Sequence, residues 1–323
     1  MMKYTRRSLA ALAIALIAPL TASAQTWPAK PVRLIVPYSA GGSTDSLARQ
    51  LGAMAGEKLG QQFIVENRTG GATVIAAQAL IASPADGYTV AIFDPSTVAM
   101  NQYLFKKPPY DPAKQIAPVA MLTRIPFGIM VANESPVKTL KDFVAQVKAK
   151  PNASYGHSGA GNPVHLAMER FARQANLELT HVPYKGGAPA MQDLLGGQIP
   201  YMMMDIPSAM PFIKAGKIRV LGLTSPKRSE LLPDVPTIAE SGYPGFEAGS
   251  WFGAFVPAGT PPAVITRISQ VLKETINRPE MLAWIKDRTL EAAASTPEEL
   301  AAAIKSDEGK YSAIIKQLNF SLD

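Results

Sequence analysis

The sequence predicts an α/β protein of two lobes, each built on an open, mostly parallel sheet. Short β-rich apolar runs alternate with helical patterns at the spacing of βαβ units. The alternation runs twice, once before Pro118 and once after it. Roughly 300 residues follow the N-terminal segment, more than one hydrophobic core usually organises, which favours two lobes over one.

In chain order, Lys3, Arg6 and Arg7 precede the apolar run Leu9 to Leu20, and Ala22-Ser23-Ala24 matches a small-x-small cleavage site. This reads as a secretory signal peptide over residues 1–24, so the exported protein is expected to begin at Gln25. Arg6-Arg7 keeps a twin-arginine route open beside the general one. The apolar run is too short to span a membrane, and no later window is long and apolar enough. Removing residues 1–24 takes away three of the positive charges, so the formal +7 becomes +4. With Lys and Arg scattered and aromatic residues at 7%, nucleic-acid binding has little support. The chain has no cysteine, which excludes disulfides and a lipid-anchored cysteine.

Val32–Val36 reads as a strand, followed by Pro37-Tyr38-Ser39-Ala40-Gly41-Gly42-Ser43-Thr44-Asp45 and a helix from about Ser43 to Leu59. Leu47, Ala48, Leu51, Met54, Ala55 and Leu59 recur at helical spacing, and Gly60 stands where a C′ glycine ends the helix. Such a loop aims free N–H groups and the positive end of a helix dipole at one point, a ready seat for a carboxylate or phosphate. Gly-Gly also simply turns the chain, and Asp45 in a first helical turn also simply stabilises the dipole. Strands follow at Gln62–Val65 and Thr89–Phe93, with a helix at about Thr73–Ile81 between them. In open parallel sheets ligands bind outside the carboxyl ends of strands, where Tyr38–Asp45 and the loop Asp94-Pro95-Ser96-Thr97 would share a rim.

After Pro118, strands are expected at Gly128–Val131, Ala153–Tyr155, Leu179–Val182, Pro200–Met204 and Arg219–Thr224. Helices fill Leu140–Val147, Pro163–Gln174, Ala188–Leu195 and Pro207–Lys214. An apolar strand at Trp251–Val256 returns to the first lobe, the outward crossing lying near Leu122–Phe127. The tail from Pro262 is helical, and Thr296-Pro297-Glu298-Glu299 resembles a helix start. Asn162-Pro163 reads first as an N-cap and N1 pair. His165 reads as packed on its helix, Met202–Met204 as core strand and Lys185 as a solvated charge.

The residues resemble a known family, the periplasmic solute-binding receptors of tripartite tricarboxylate transporters, or Bug receptors. The marks are Val32–Pro37 with Gly41-Gly42 and Asp45, and Val65-Glu66-Asn67-Arg68 with Gly70-Gly71. To these add Tyr155-Gly156 through Gly161 with His165-Leu166-Ala167, Val182–Gly186, and Leu232–Glu240. The resemblance implies a type II periplasmic binding protein, two α/β lobes joined by two crossing strands, with residues 25–123 and 247–323 in one lobe and 124–246 in the other. It implies a monomer that holds a small organic carboxylate in the cleft, needs no cofactor, and meets membrane transporter subunits transiently. Tyr38, Ala40, Gly41, Gly42, Ser43, Thr44 and Asp45 would receive one carboxylate. Asp94, Ser96, Thr97, His157, Ser158, Gly159, Asn162 and Tyr184 would complete the pocket. The chain departs from the family pattern at His157 and Asn162, so the ligand preferences of relatives do not carry over. Asp205 is a further cleft candidate that would repel a second carboxylate and welcome an amino or hydroxyl group.

Two other readings compete. The same receptor architecture can present its ligand to a membrane sensor. Alternatively, Gly156-His157-Ser158-Gly159-Ala160 imitates a hydrolase nucleophile elbow with Ser158 as nucleophile, but Ala160 replaces the last glycine and Gly161-Asn162-Pro163 delay the helix. No phosphate loop, HExxH or cysteine–histidine metal pattern is present.

Overall fold

The computed structural model describes residues 27–323, so the signal peptide and its cleavage site before Gln25 lie outside the described residues. The first sheet is assembled from β1 (Val32–Val36), β2 (Phe63–Asn67) and β3 (Thr89–Phe93), with α1 (Ser43–Leu59) and α2 (Val74–Ile81) between them. β1 pairs in parallel with both β2 and β3. α1 turns Leu47, Ala48, Leu51, Met54 and Ala55 inward and ends at Gly60, whose φ of 65° and N–H bond to the Gly56 carbonyl close it. A side chain there would be strained in the left-handed region, which is why glycine stands at that end.

Residues 94–97 do not form the open loop expected of them. Ser96–Met100 is a π-helical turn that runs into the short α3 (Asn101–Leu104), and the whole stretch is buried except at Gln102 and Tyr103. After α4 (Pro112–Gln115) comes β4 (Ile116–Ala132), one strand of 17 residues where a crossing and a four-residue strand were expected. Pro118 and Pro126 cannot donate to a ladder, and the strand tolerates Pro118 by shifting register against its partner between Pro118 and Ala120.

The second sheet contains β5 (Ala153–His157), β6 (Leu179–Pro183), β7 (Tyr201–Asp205) and β8 (Ile218–Leu223). Its helices are α5 (Leu140–Ala149), α6 (Pro163–Ala175), α7 (Gly187–Leu195) and α8 (Ile206–Lys214). β5 pairs in parallel with β6 and β7, and the far half of β4 pairs antiparallel with β7 and β8. β9 (Gly249–Pro257) returns to the first sheet, antiparallel between β3 and the near half of β4. β4 therefore belongs to both sheets. The tail is α9 (Pro262–Ile276), α10 (Pro279–Lys286), a two-residue β10 (Glu291–Ala292) against β4, and α11 (Pro297–Leu318). α11 opens with the capping box anticipated at Thr296 and Glu299.

β3 and β7 are buried along their whole length, as strands covered by helices on both faces must be. Met203 faces one core, while Met202 and Met204 face another. The largest core is continuous through both sheets, joining Leu34, Leu47 and Ala254 to Leu122, Phe127, Phe143 and Met203.

Candidate functional site

Four helices begin at the cleft between the sheets. α1 starts at Ser43 from the first sheet, and α6, α7 and α8 start at Pro163, Gly187 and Ile206 from the second. Residues of all four starts line one cavity of about 30 Å³, walled by Ile125, Phe127 and Phe252. Among the described residues, no Lys or Arg lines it. Each helix start carries about half a positive charge, and these face the two carboxyl groups of the lining, Asp94 and Asp205. Asn162 and Asp205 cap their own helices by accepting the N–H groups of His165 and Ser208, both at 2.9 Å. Gly42 and Gly186 cap α1 and α7 with no side-chain acceptor of their own, although the first N–H of α1, that of Ser43, is taken by Ser208 across the cleft.

The walls touch each other directly. The Ser39 N–H donates to the Lys185 carbonyl at 3.0 Å. The Ser43 N–H donates to Ser208 Oγ at 2.9 Å, and that hydroxyl donates to Asp205 Oδ2 at 3.1 Å. On the opposite wall the Tyr38 hydroxyl donates to Asp94 Oδ2 at 2.7 Å, and Asp94 Oδ1 accepts the Ser96 N–H at 3.0 Å. Burial raises the Asp94 carboxyl above its ordinary value against those hydrogen bonds, and the Tyr38 hydroxyl is raised well above its own by burial and then by the Asp94 charge. Burial likewise raises Asp205 against the hydrogen bonds from Ser208.

A wider opening of about 210 Å³ adjoins the cavity across Tyr38, Ser158 and Asn162, lined also by Gly70–Thr73, Ser96, Gly159, Tyr184 and Lys185. Asn162 Nδ2 donates to Ser158 Oγ at 2.9 Å. The Tyr184 hydroxyl donates to Asp193 at 2.6 Å, and burial, then Asp193, push it up to about 12.

The structure thus brings Tyr38, Gly42, Ser43, Thr44, Asp94, Ser158, Asn162 and Asp205 to the inner cavity, and Ser96, Gly159 and Tyr184 to its mouth. Five candidates line neither. Ala40 and Gly41 are exposed. The Asp45 carboxylate accepts from the Gly41 N–H at 3.0 Å, Arg49 Nε at 2.9 Å and Asn67 Nδ2 at 3.0 Å, which shapes the loop. Burial raises its pKa, but the Arg49, Gly41 and Asn67 bonds outweigh that and hold it below the ordinary range. Thr97 donates to Thr73 Oγ1 at 2.9 Å beneath the π-helical turn. His157 closes β5 instead of sitting in a glycine loop, and its ring turns away from the cleft to His165 and His181.

Ser208 and Ser250 also line the cavity, and Ser250 Oγ is buried without a hydrogen-bond partner among the described residues. Asp205-Ile206-Pro207-Ser208 carries a readable signal, an N-cap acid three residues before a polar N3. Nothing near Ser250 in sequence marks it, because β9 reaches the cleft only through the fold.

The family model of the tripartite tricarboxylate transporter family receptor matches residues 47–320. Protein BugT of Bordetella pertussis is 32% identical over 93% of both chains. Among solved structures, R. palustris Rpa4515 with adipate superimposes with a TM-score of 0.88 at 33% identity, covering 91% of this chain and 99% of that one. MatC of Rhodopseudomonas palustris with bound malate gives 0.84 at 29% identity, covering 90% and 100%. A cleft ringed by helix starts, a strand common to two sheets and a match along nearly the whole described length lead to one assignment: this chain belongs to the family of tripartite tricarboxylate transporter receptors.

Proposed function

We propose that the protein is a periplasmic receptor that takes a small organic carboxylate between two lobes, residues 25–123 with 247–323 and residues 124–246, and delivers it as a monomer to a membrane transporter. One observation carries this: four helix starts converge on a cavity that no cation lines among the described residues, the arrangement by which backbone N–H groups receive an anion. Adipate and malate in the two similar solved proteins support the ligand class. Asp94 and Asp205 favour a ligand whose second polar group is a hydrogen-bond donor. A cavity of about 30 Å³ holds little more than a water-sized group, so ligand entry parts the walls and the lobes then close on it.

The proposed role includes no chemistry. Ser158 Oγ accepts from Asn162, while the imidazoles of His157 and His165 bond to the backbone of Gly159 and Gly161. A nucleophilic serine needs a base on its hydroxyl, and neither ring serves it.

A thermal-shift screen against mono-, di- and tricarboxylates, hydroxy acids and amino acids tests the reading. A ligand at a hundred times its dissociation constant adds about 2.7 kcal/mol of stability. Failure of every carboxylate to shift the midpoint, or turnover of the one that binds, rejects it.

A further inference from the structure

All three histidines of the 323-residue chain meet at one place. His157 comes from the end of β5, His165 from the first turns of α6 and His181 from the middle of β6. One ring nitrogen from each lies within 4.8 Å of the other two. From this convergence we propose that the three imidazoles form a binding site for a borderline divalent metal ion of the zinc, nickel or copper class, behind the ligand loop Ser158–Asn162.

The chemistry of the donors fits such ions, which imidazole binds well, and excludes calcium or magnesium, which need an oxygen cage. Tetrahedral zinc with Zn–N of about 2.0–2.1 Å sets its nitrogens roughly 3.4 Å apart. His157 Nε2 and His181 Nδ1 are already 3.3 Å apart. The Gly159 backbone holds the His157 ring, with its carbonyl 3.0 Å and its N–H 3.3 Å from Nδ1; in the tautomer that donates Nδ1–H to the shorter contact, the lone pair is on Nε2 and free to ligate. His181 is partly exposed, so its proton can pass to the other ring nitrogen when Nδ1 binds metal.

His165 requires a rearrangement. Its Nδ1 accepts the Gly161 N–H at 3.0 Å, so its proton rests on Nε2, 3.6 Å from Glu169 Oε1. It also lies flat on His157, with ring centroids 4.3 Å apart and planes 18° apart. Ligation through Nε2 moves the proton to Nδ1, turns the ring and releases Gly161. Metal binding therefore acts on the glycine loop that carries Ser158 and Gly159 into the cleft. Glu169, held by the Tyr155 hydroxyl at 2.6 Å, stands beside His165 outside the trio and leaves the fourth position to solvent, and Phe320 covers the cluster edge-on to His165 at 4.8 Å.

Because the chain has no cysteine and no other histidine, zinc uptake by tag-free protein reports on this cluster with little competition. The test strips the protein with chelator, titrates it with zinc sulfate by calorimetry and counts bound metal by mass spectrometry. One equivalent is expected, with affinity lowered at least tenfold in His181→Ala and in His165→Gln. Far-UV dichroism and the melting midpoint of the metal-free variants separate a lost ligand from a lost fold. Should the His165 variant not fold, long-range ¹H–¹⁵N spectra of the unmutated protein decide. One equivalent of zinc must shift all three imidazoles and move the His165 proton to Nδ1. Absence of stoichiometric uptake, uptake that survives His181→Ala, or a His165 ring that keeps its tautomer overturns the assignment.

Discussion

Gly186→Ala should leave the sheets folded and impair their approach. Gly186 has φ 148° and ψ 178°, a region that essentially only glycine occupies, so any L side chain costs about 1–3 kcal/mol there. That strain acts whether the cleft is open or closed, and it lowers stability without touching affinity. The second effect acts only on the closed form. A Cβ at 186 would lie 2.4 Å from Ser39 Oγ and 3.0 Å from Ser39 N on the facing wall. The hydroxyl can rotate away, but the backbone nitrogen cannot, because its N–H bonds to the Lys185 carbonyl. An inserted methyl in a packed contact costs typically 1–3 kcal/mol, which corresponds to roughly a 5- to 150-fold weaker ligand affinity. Gly197→Ala is the control: φ is 71°, and a Cβ there meets nothing within 4 Å. It should lose stability and keep affinity. Calorimetry with the carboxylate identified by screening, paired with urea melts of both variants, separates the two effects. If Gly186→Ala binds as tightly as the control, the contact between Gly186 and Ser39 plays no part in holding ligand.

Ser158→Ala removes a hydroxyl at both cavities and the acceptor for Asn162 Nδ2. Ligand affinity should fall by about 1–3 kcal/mol in calorimetry with little change in melting, and an unchanged affinity would remove Ser158 from the site. Ser208→Ala deletes the acceptor for the Ser43 N–H across the cleft. Small-angle scattering of the liganded variant should show a larger radius than the liganded wild type, and identical profiles would exclude this bridge from closure. For Asp94, the folded carboxyl is raised above 3.8, so the unfolded chain releases its proton first as pH rises. Its contribution therefore falls from pH 3.8 upward until the folded group has ionised. Relative to wild type, Asp94→Asn should gain stability across that window in urea melts, and a pH-independent difference contradicts the sign.

The first βα unit was legible nearly to the residue. The apolar run Val32–Val36, the helical spacing from Leu47 to Leu59 and Gly60 all state the same local structure, and tertiary contacts had nothing to override. β4 was not legible, because Pro118 and Pro126 punctuate it as a loop would. Only pairing with β9 on one side and with β7 and β8 beyond makes it one strand. At the cleft, Ser43 and Asn162 were readable because a helix start is a local pattern. Ser250 was not, since its place comes from strand order. His157 shows the same limit from the other side: a strand end allows two directions for a side chain, and the choice was made by His165 and His181, 8 and 24 residues later.

The position of β9 bears on when the molecule can fold at all. The strand order β2-β1-β3-β9-β4 puts a segment that begins at Gly249 between two that are finished by Ala132. At about 5–20 residues per second, a ribosome needs roughly 8–30 s to get from the end of β3 to the start of β9. Until then β3 and the near half of β4 have no common neighbour, and the core shared by both sheets lacks Phe252, Ala254 and Val256. A nascent chain of this topology stays open long after its first three strands have been synthesised, the condition in which a polypeptide can still be threaded through a narrow translocation pore.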